Sequence, residues 1–450
     1  MATKWWGELG ADQQQALVQN ASGVVGNLNG VPYGVRDEAN RALLEDLKGD
    51  ESLTPGTQQA LEQLSSASQG EDKFIITLDI SPLKKEDGID TNDVRAAVSV
   101  GDLDTAKNTS FVGPGMGNDL AAGATTQVQV AKNIRNQQAH VADRSKNDFA
   151  VVAWLGYDAP DLTKTINLDA SRAHRADQGS PYSITTQPSQ SVLQPDLAQQ
   201  GARDFARAVD GFNVTRTLSS TSGESISVDA VRNASEDQRR DFFNVPDVDV
   251  IGHSYGTTMV GEALPQLKTS VNSVALVGSA GLTPEAIAAG NAGKFPIDKG
   301  SDGQENLYFT HAQRDMTAPT GSVPSGRKTP DQLSFAKEFS AEGGVDGEGK
   351  VYVPTHAHGA LAGNFGEAGY FAENTSSLTM VALATTRSKG GTLPELIRDE
   401  RPYIPGAYMN GYALPYSDEQ LAADASLRAK VMAEQELRPE DVYRYSKDSR

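Results

Sequence analysis

One stretch decides the fold: Val248-Asp249-Val250-Ile251-Gly252-His253-Ser254-Tyr255-Gly256. A short apolar run, typical of a strand buried on both faces, leads directly into Gly-X-Ser-X-Gly. A helix-compatible segment, 257–264, follows it. In this strand–turn–helix context the serine sits on a sharp turn that lifts its hydroxyl clear of the sheet, and the flanking glycines avoid collisions with neighbouring backbone. The pattern predicts that Ser254 is a nucleophile; the alternative is a Gly-rich turn with an idle serine.

Short apolar runs recur on both sides of this stretch and alternate with helical segments. Such alternation predicts a mostly parallel sheet flanked by helices, hence an α/β fold. Apolar runs such as 149–155 suit strands covered on both faces. The predicted strands are Phe74–Ile80, Ser110–Val112, Phe149–Leu155, Val248–Ile251, Val274–Val277, Leu307–Thr310 and Val351–Val353.

Three regions do not follow this alternation of strands and helices. Residues 1–72 contain helical patterns at 12–20 and 36–48 and a helix start at Thr54-Pro55, so we expect a helical layer packed on a core that spans 73–385. The polar segment from about 160 to 246 is too long for an ordinary connection and is interpreted as a lid or cap, with a plain surface excursion as the alternative. Residues 386–450 are expected to form a C-terminal extension.

A serine hydroxyl needs a base, and in folds with this turn the order along the chain is Ser, then Asp or Glu, then His. After Ser254 come His311, His356 and His358. His311 comes too early and fits a packing position, as does His253 inside the motif. His356 and His358 both follow the strand predicted at 351–353. His356 is slightly favoured because it is closer to the strand end, and His358 remains the alternative.

The acid is expected in the loop after the preceding strand, 307–310, where Asp315 lies. There it would orient the imidazole and stabilise the imidazolium that forms. The alternatives are that Asp315 pairs with its neighbour Arg314, and that Asp302 supplies the carboxylate. The His356-X-His358 spacing also allows a metal pair, but no third ligand is evident and no metal is predicted.

Acyl transfer also requires fixed N–H donors for the developing oxyanion. One is expected to be the backbone amide of Tyr255, the residue after the nucleophile. For the second we choose Met116, in the Gly-rich turn 113–117 after an early strand. The alternative, a phosphate-binding loop, lacks the Lys-Ser/Thr ending that such loops carry.

Several further stretches are distinctive when taken together with the Ser254 motif. They are Trp5-Trp6, Gly26–Pro32, Arg36–Arg41, Val100–Ala106, Gly113–Gly117 and Trp154–Pro160. Together they resemble an actinobacterial α/β-hydrolase family long catalogued as a domain of unknown function. The similarity runs from the N-terminus to about residue 385 and implies the α/β-hydrolase fold with the same Ser, Asp and His roles.

Composition narrows the function classes. The formal net charge of −19 disfavours nucleic acid as a partner, and the absence of cysteine excludes disulfides and thiol nucleophiles. No apolar run reaches transmembrane length and no signal peptide is recognisable, so a cytoplasmic protein is expected, with signal-less export as the alternative.

The favoured function is hydrolysis of a small-molecule or lipid carboxyl ester by a Ser-His-Asp triad, with no cofactor. The alternatives are acyl transfer to an alcohol and a catalytically silent binding or assembly protein. In the second case a protein partner would bind the N- or C-terminal segments, with Trp5 and Trp6 as anchors. Core packing of these two tryptophans is preferred.

Overall fold

A computed structural model describes residues 2–80, 94–160, 192–220, 245–315, 317–345, 350–363, 366–386 and 393. An eight-stranded sheet in the order β1-β2-β4-β3-β5-β6-β7-β8 forms its centre. From β4 to β8 in this order all neighbours pair in parallel. Strand β2 pairs antiparallel with both of its neighbours, β1 and β4. The strands are β1 Lys73–Asp79, β2 Arg95–Val100, β3 Asn108–Gly113, β4 Phe149–Leu155, β5 Asp247–His253, β6 Ser273–Val277, β7 Leu307–Thr310 and β8 Lys337–Glu338. The α/β-hydrolase fold expected from the sequence is confirmed.

Helices cover both faces of this sheet, as a mostly parallel sheet requires. On β4 the side chains alternate: Val151 and Ala153 pack into one apolar cluster, and Val152 and Trp154 into the other. The helices are α1 Ala2–Glu8, α2 Ala11–Asn20, α3 Ser22–Val25, α4 Tyr33–Lys48, α5 Pro55–Ala67, α6 Leu120–Val141, α7 Asp196–Ser220, α8 Tyr255–Ala263, α9 Pro284–Asn291, α10 Thr317–Ser325 and α11 Ser376–Ala384.

Helix α7 belongs to the stretch interpreted as a lid, but it packs on the sheet. Phe205 and Phe212 are buried in it and meet Phe111 of β3 edge-on. This part of the stretch is therefore a crossover helix between β4 and β5. Residues 161–191 and 221–244 of the polar segment lie outside the described residues, as does the C-terminal extension apart from residues 386 and 393.

The strand predicted at 351–353 does not belong to the main sheet. Val351 and Tyr352 form β10, which pairs with β9 (Gly344–Val345) in a separate two-stranded sheet, and β8 takes the eighth position in the main sheet. Strand β2 was not predicted. Its Ala-Ala-Val-Ser core is poor in the large β-branched and aromatic side chains that mark strands.

The N-terminal helices close the open edge of β1 with side chains. On α4, Asp37 accepts the Ile75 amide at 2.6 Å and Asn40 donates to the Ile75 carbonyl at 2.8 Å. Asn27 bonds both backbone groups of Leu78. An edge strand with unpaired backbone groups invites pairing with other chains, so these contacts protect the sheet.

Trp6 is buried and Trp5 is 42% exposed, so only one of the two tryptophans packs in the core. Within the described part of the chain, no helix has both the length and the apolar character needed to cross a bilayer.

We expect Asn40→Ala to lower the free energy of unfolding by about 2 kcal/mol, because it removes the side-chain donor of the Ile75 carbonyl at the sheet edge. Asn40 is fully buried and its amide donates to the carbonyls of Gly26 and Ile75. The matched control is Asn20→Ala, whose amide donates to Ala16 on an exposed helix end. Its cost should stay below about 0.5 kcal/mol. Urea unfolding measures both, and equal losses would contradict edge closure by Asn40.

Candidate active site

Ser254 lies between β5 and α8 with backbone angles φ 55° and ψ −125°. This is a left-handed conformation that non-glycine residues rarely adopt, and holding it costs about 1–3 kcal/mol. Surrounding hydrogen bonds stabilise it: the Ser254 amide donates to Val277 at 3.0 Å, and its carbonyl accepts from Thr257. The turn predicted from Gly-X-Ser-X-Gly is therefore present.

Two glycines allow the close backbone approach at this turn. A Cβ on Gly256 would overlap the carbonyl oxygens of Gly113 and Pro114. A Cβ on Gly252 would lie 3.0 Å from the Cα of Thr257 in α8. The loop after β3 can therefore rest directly on the turn that carries Ser254.

His358 contacts the serine hydroxyl. Its Nε2 lies 2.6 Å from Ser254 Oγ, and its Nδ1 lies 2.7 Å from Asp315 Oδ2. An ionised carboxylate only accepts hydrogen bonds, so Nδ1 carries the proton and the lone pair of Nε2 faces the hydroxyl. In this arrangement the imidazole can take the proton of Ser254.

The structure brings His358, and not the slightly favoured His356, to Ser254. Nε2 of His356 lies 3.4 Å from the Arg314 guanidinium. The chain does not continue as a strand beyond β10 and bends at 358–360, so residues two apart no longer share a face. The cation beside His356 and the separate contacts of His358 also disfavour a metal shared by the two rings.

Asp315 is buried and its two oxygens have different partners. Oδ1 accepts the amides of Thr317 and Ala318 at the start of α10, at 2.9 and 3.1 Å. Oδ2 accepts from His358 and from the Tyr370 hydroxyl at 2.8 Å. Burial raises the pKa of Asp315, but these hydrogen bonds and the imidazole outweigh it and hold the pKa below its usual value.

Two alternatives considered from the sequence, Asp302 as the acid and a pairing of Asp315 with Arg314, differ from the contacts in the structure. Asp302 pairs with Lys337 at 2.7 Å, away from Ser254. Arg314, the alternative partner of Asp315, faces His356 instead.

Tyr370 is a site residue that sequence reasoning missed. Its hydroxyl accepts the Ala312 amide at 2.9 Å, so its own hydrogen is directed to Asp315. Burial and the nearby carboxylate raise the pKa of Tyr370, which keeps the hydroxyl protonated. It lies 55 residues after Asp315 in the chain, and no local pattern marks it.

His253 packs beneath His358, as the sequence indicated. It is 4% exposed, its Nε2 donates to the His358 carbonyl at 2.9 Å, and its ring lies against Tyr370 and Phe371. Burial lowers its pKa to about 3, so it is neutral at pH 7. His311, for which a packing position was expected, is exposed instead.

The two chosen oxyanion donors belong to segments that adjoin the serine. As the first residue of α8, Tyr255 has an amide with no preceding helical carbonyl to bond. Met116 is half-buried in the loop after β3. The neighbouring Gly115 is so close that a Cβ there would lie 2.5 Å from Ser254 Cβ.

Comparisons with known proteins agree with this fold. A family model described as an alpha/beta hydrolase matches residues 90–222 and 233–295. Two uncharacterized proteins, from two strains of Mycobacterium tuberculosis, are each 26% identical over 349 residues. That similarity covers 72% of this chain but only 44% of each relative, so the chain spans less than half of their length.

Solved structures with some similarity include two esterases. An esterase of Pyrobaculum calidifontis is 11% identical, with a TM-score of 0.26 over 74% of this chain and 88% of that chain. Carboxyl esterase 2 of Tuber melanosporum is also 11% identical, with a TM-score of 0.29 over 75% of this chain and 98% of that chain. At these scores the likeness carries no weight for function.

We expect the free energy of unfolding to fall as the pH drops below about 6.5, partly because of His253. Its folded pKa of about 3 lies below the unfolded value, so the unfolded chain takes up a proton that the folded chain does not. His253→Gln keeps a donor for the His358 carbonyl and should make the fall shallower by up to about 1.4 kcal/mol per pH unit.

Thr257→Val is the control for this pH series. Thr257 is equally buried, and its hydroxyl donates to Ser254 but does not titrate. This variant should be less stable at every pH with an unchanged slope. Denaturant unfolding from pH 7 to pH 5 measures all three proteins, and the same slope in His253→Gln and wild type would contradict the expectation.

Proposed function

We propose that this chain is a serine esterase that cleaves a small-molecule or lipid carboxyl ester through an acyl-enzyme, with Ser254, His358 and Asp315 as its triad. The observation that carries the proposal is the continuous pair of hydrogen bonds, 2.6 Å from Ser254 Oγ to His358 Nε2 and 2.7 Å from His358 Nδ1 to Asp315. These distances are within the range required of a nucleophile, its base and the group that orients the base.

In the first half-reaction Ser254 Oγ attacks the ester carbonyl carbon. The hydroxyl proton moves to His358 Nε2 as the new C–O bond forms, and the carbonyl electron pair moves onto the oxygen. When the tetrahedral intermediate collapses, the bond to the leaving alcohol breaks and His358 gives its proton to that alcohol. A water molecule then attacks the acyl-enzyme by the same route, which releases the acid and restores the Ser254 hydroxyl.

Asp315 stays ionised through this cycle. Its lowered pKa and its four donors, two backbone amides, Tyr370 and His358, favour the carboxylate. A fixed carboxylate keeps the imidazole in the tautomer whose Nε2 is free to accept, and stabilises the imidazolium when it forms. The neutral His253 below places no competing charge next to that imidazolium.

The oxyanion is assigned to the backbone amides of Tyr255 and Met116. The Tyr255 amide is at the start of α8, where the helix dipole favours negative charge. The Met116 amide is in the loop that touches Ser254 through Gly115. Two preorganised donors of this kind each contribute about 3–4 kcal/mol to transition-state stabilisation.

Ser254→Ala tests the nucleophile directly. We expect it to abolish labelling by a fluorophosphonate probe and to lower hydrolysis of p-nitrophenyl butyrate by at least about 10³-fold. Intact-protein mass spectrometry of the labelled wild type should show one adduct. Peptide mapping should place that adduct on the peptide that contains Ser254. If the wild type neither labels nor hydrolyses a panel of esters, the esterase proposal is wrong and a silent binding protein is the better hypothesis.

The two late histidines form a matched pair for a second test. His358→Gln should lower kcat by about 10³-fold or more, because the proton of Ser254 then has no base. His356→Gln removes an imidazole two residues away that contacts Arg314 and should change kcat by no more than about threefold. Steady-state kinetics with p-nitrophenyl butyrate measures both, and the reverse ranking would contradict the assignment of the base.

A further inference from the structure

The loop between β3 and α6 passes close to the serine. A Cβ added to Gly115 would lie 2.5 Å from Ser254 Cβ and 3.0 Å from Ser254 Oγ. The peptide groups that follow Gly115 are therefore next to the position of a bound ester carbonyl. Their orientation decides whether an N–H or a C=O faces the developing negative charge.

The Asn118 side chain holds two of these peptide groups. Its Nδ2 donates to the Gly115 carbonyl at 3.1 Å and to the Met116 carbonyl at 3.0 Å. Its Oδ1 accepts from Gln127 Nε2 at 2.8 Å, and Gln127 is itself 3% exposed on α6. Because backbone carbonyls can only accept, the orientation of the Asn118 amide follows from its partners. The buried Gln127 side chain thus holds the Asn118 amide in one orientation, and the Asn118 amide in turn holds the two peptide groups of the loop.

The planarity of the peptide bond transmits this constraint to the amides. In a trans peptide the N–H points opposite to the preceding C=O. With the Gly115 carbonyl turned to Asn118, the Met116 N–H points to the other side of the loop. The next peptide is held at both ends, since the Met116 carbonyl bonds Asn118 and the Gly117 amide donates to Pro160 at 2.9 Å.

Among the described residues no acceptor in the protein is found for the Met116 amide, whereas the Gly115 and Met116 carbonyls and the Gly117 amide beside it are paired. Unpaired backbone donors in enclosed positions are rare. The preceding peptide group of the loop is also held, because the Tyr157 hydroxyl donates to the Pro114 carbonyl at 2.6 Å.

From these contacts we propose that Asn118 is a positioning residue: backed by Gln127, it aims the Met116 amide at the oxyanion. This rests on the esterase function proposed above and adds a residue pair that acts through the backbone and does not touch the substrate. Rotation of the Gly115–Met116 peptide would replace the donor by a carbonyl oxygen, which repels the oxyanion.

Asn118→Asp is the main test because it keeps the side-chain shape and removes the amide donor. We expect kcat for p-nitrophenyl butyrate to fall about 10- to 100-fold, somewhat less than the loss of a whole oxyanion donor, with KM changed less than about threefold. Phenylboronic acid adds to the serine to form a tetrahedral anion that mimics the intermediate. Its affinity should fall by a factor similar to that of kcat.

Gln127→Met provides a second variant in case Asn118→Asp does not fold. It leaves Asn118 in place but removes the donor to its Oδ1, so kcat and phenylboronic acid affinity should fall together by a smaller factor. The matched control is Asn306→Asp, which removes a comparable contact, from Nδ2 to the Asn272 carbonyl. Asn306 comes directly before β7, at the opposite end of the parallel strands from Ser254. That variant should keep wild-type kcat and phenylboronic acid affinity.

The outcomes separate this inference from the esterase proposal. If Asn118→Asp and Gln127→Met fold, as judged by their melting temperatures, and keep wild-type kcat, the positioning role is overturned while the esterase stands. A fall in kcat without a fall in phenylboronic acid affinity also overturns it. If the wild type does not react with fluorophosphonate or esters, the proposed function fails and the inference fails with it.

Discussion

The left-handed backbone of Ser254 is the constraint on which the site depends. A backbone held at φ 55° can persist only where its surroundings prevent relaxation. Here the Val277 carbonyl accepts the Ser254 amide and the Thr257 amide donates to the Ser254 carbonyl, between β5 and α8. This conformation directs the hydroxyl away from the sheet. It also requires glycine at 256, since a larger residue would overlap the loop after β3. One turn thus sets both the position of the Ser254 hydroxyl and the space next to it.

Behind the three central side chains lies a group of buried polar contacts that come from distant parts of the chain. Tyr370 directs its hydroxyl to Asp315, His253 bonds the carbonyl of His358, and Asn118 bonds the loop over the serine. In an interior of low dielectric, an unpaired polar group is costly, so each such contact holds its partner in one orientation. Preorganised groups of this kind are what the proposed stabilisation of an oxyanion requires.

The N-terminal segments make further side-chain hydrogen bonds at the edge of the sheet that β1 forms. Side chains of Asn27, Asp37 and Asn40 replace the neighbouring strand that β1 lacks. These residues lie in two of the stretches that carry the family resemblance, 26–32 and 36–41. Closure of the sheet edge gives a physical reason for the pattern of amides and carboxylates in those stretches, which periodicity alone does not explain.

The sequence by itself determined the parts of this protein that follow from local rules. Short continuous apolar runs located β4 and β7 at their observed bounds. The Gly-X-Ser-X-Gly spacing located the turn at Ser254, and the position after β7 located Asp315. Each of these depends on residues that are neighbours in the chain, so a linear pattern contains the information.

Only the tertiary structure decided between His356 and His358, because the two follow the same short strand and the bend at 358–360 controls which ring reaches Ser254. It also decided that β10 lies outside the main sheet and that Tyr370, Asn118 and Gln127 surround the site. Hydrogen bonds between segments far apart in sequence depend on how helices and loops pack. No local periodicity records that packing, and for this reason the contacts that support the proposed triad became visible only in three dimensions.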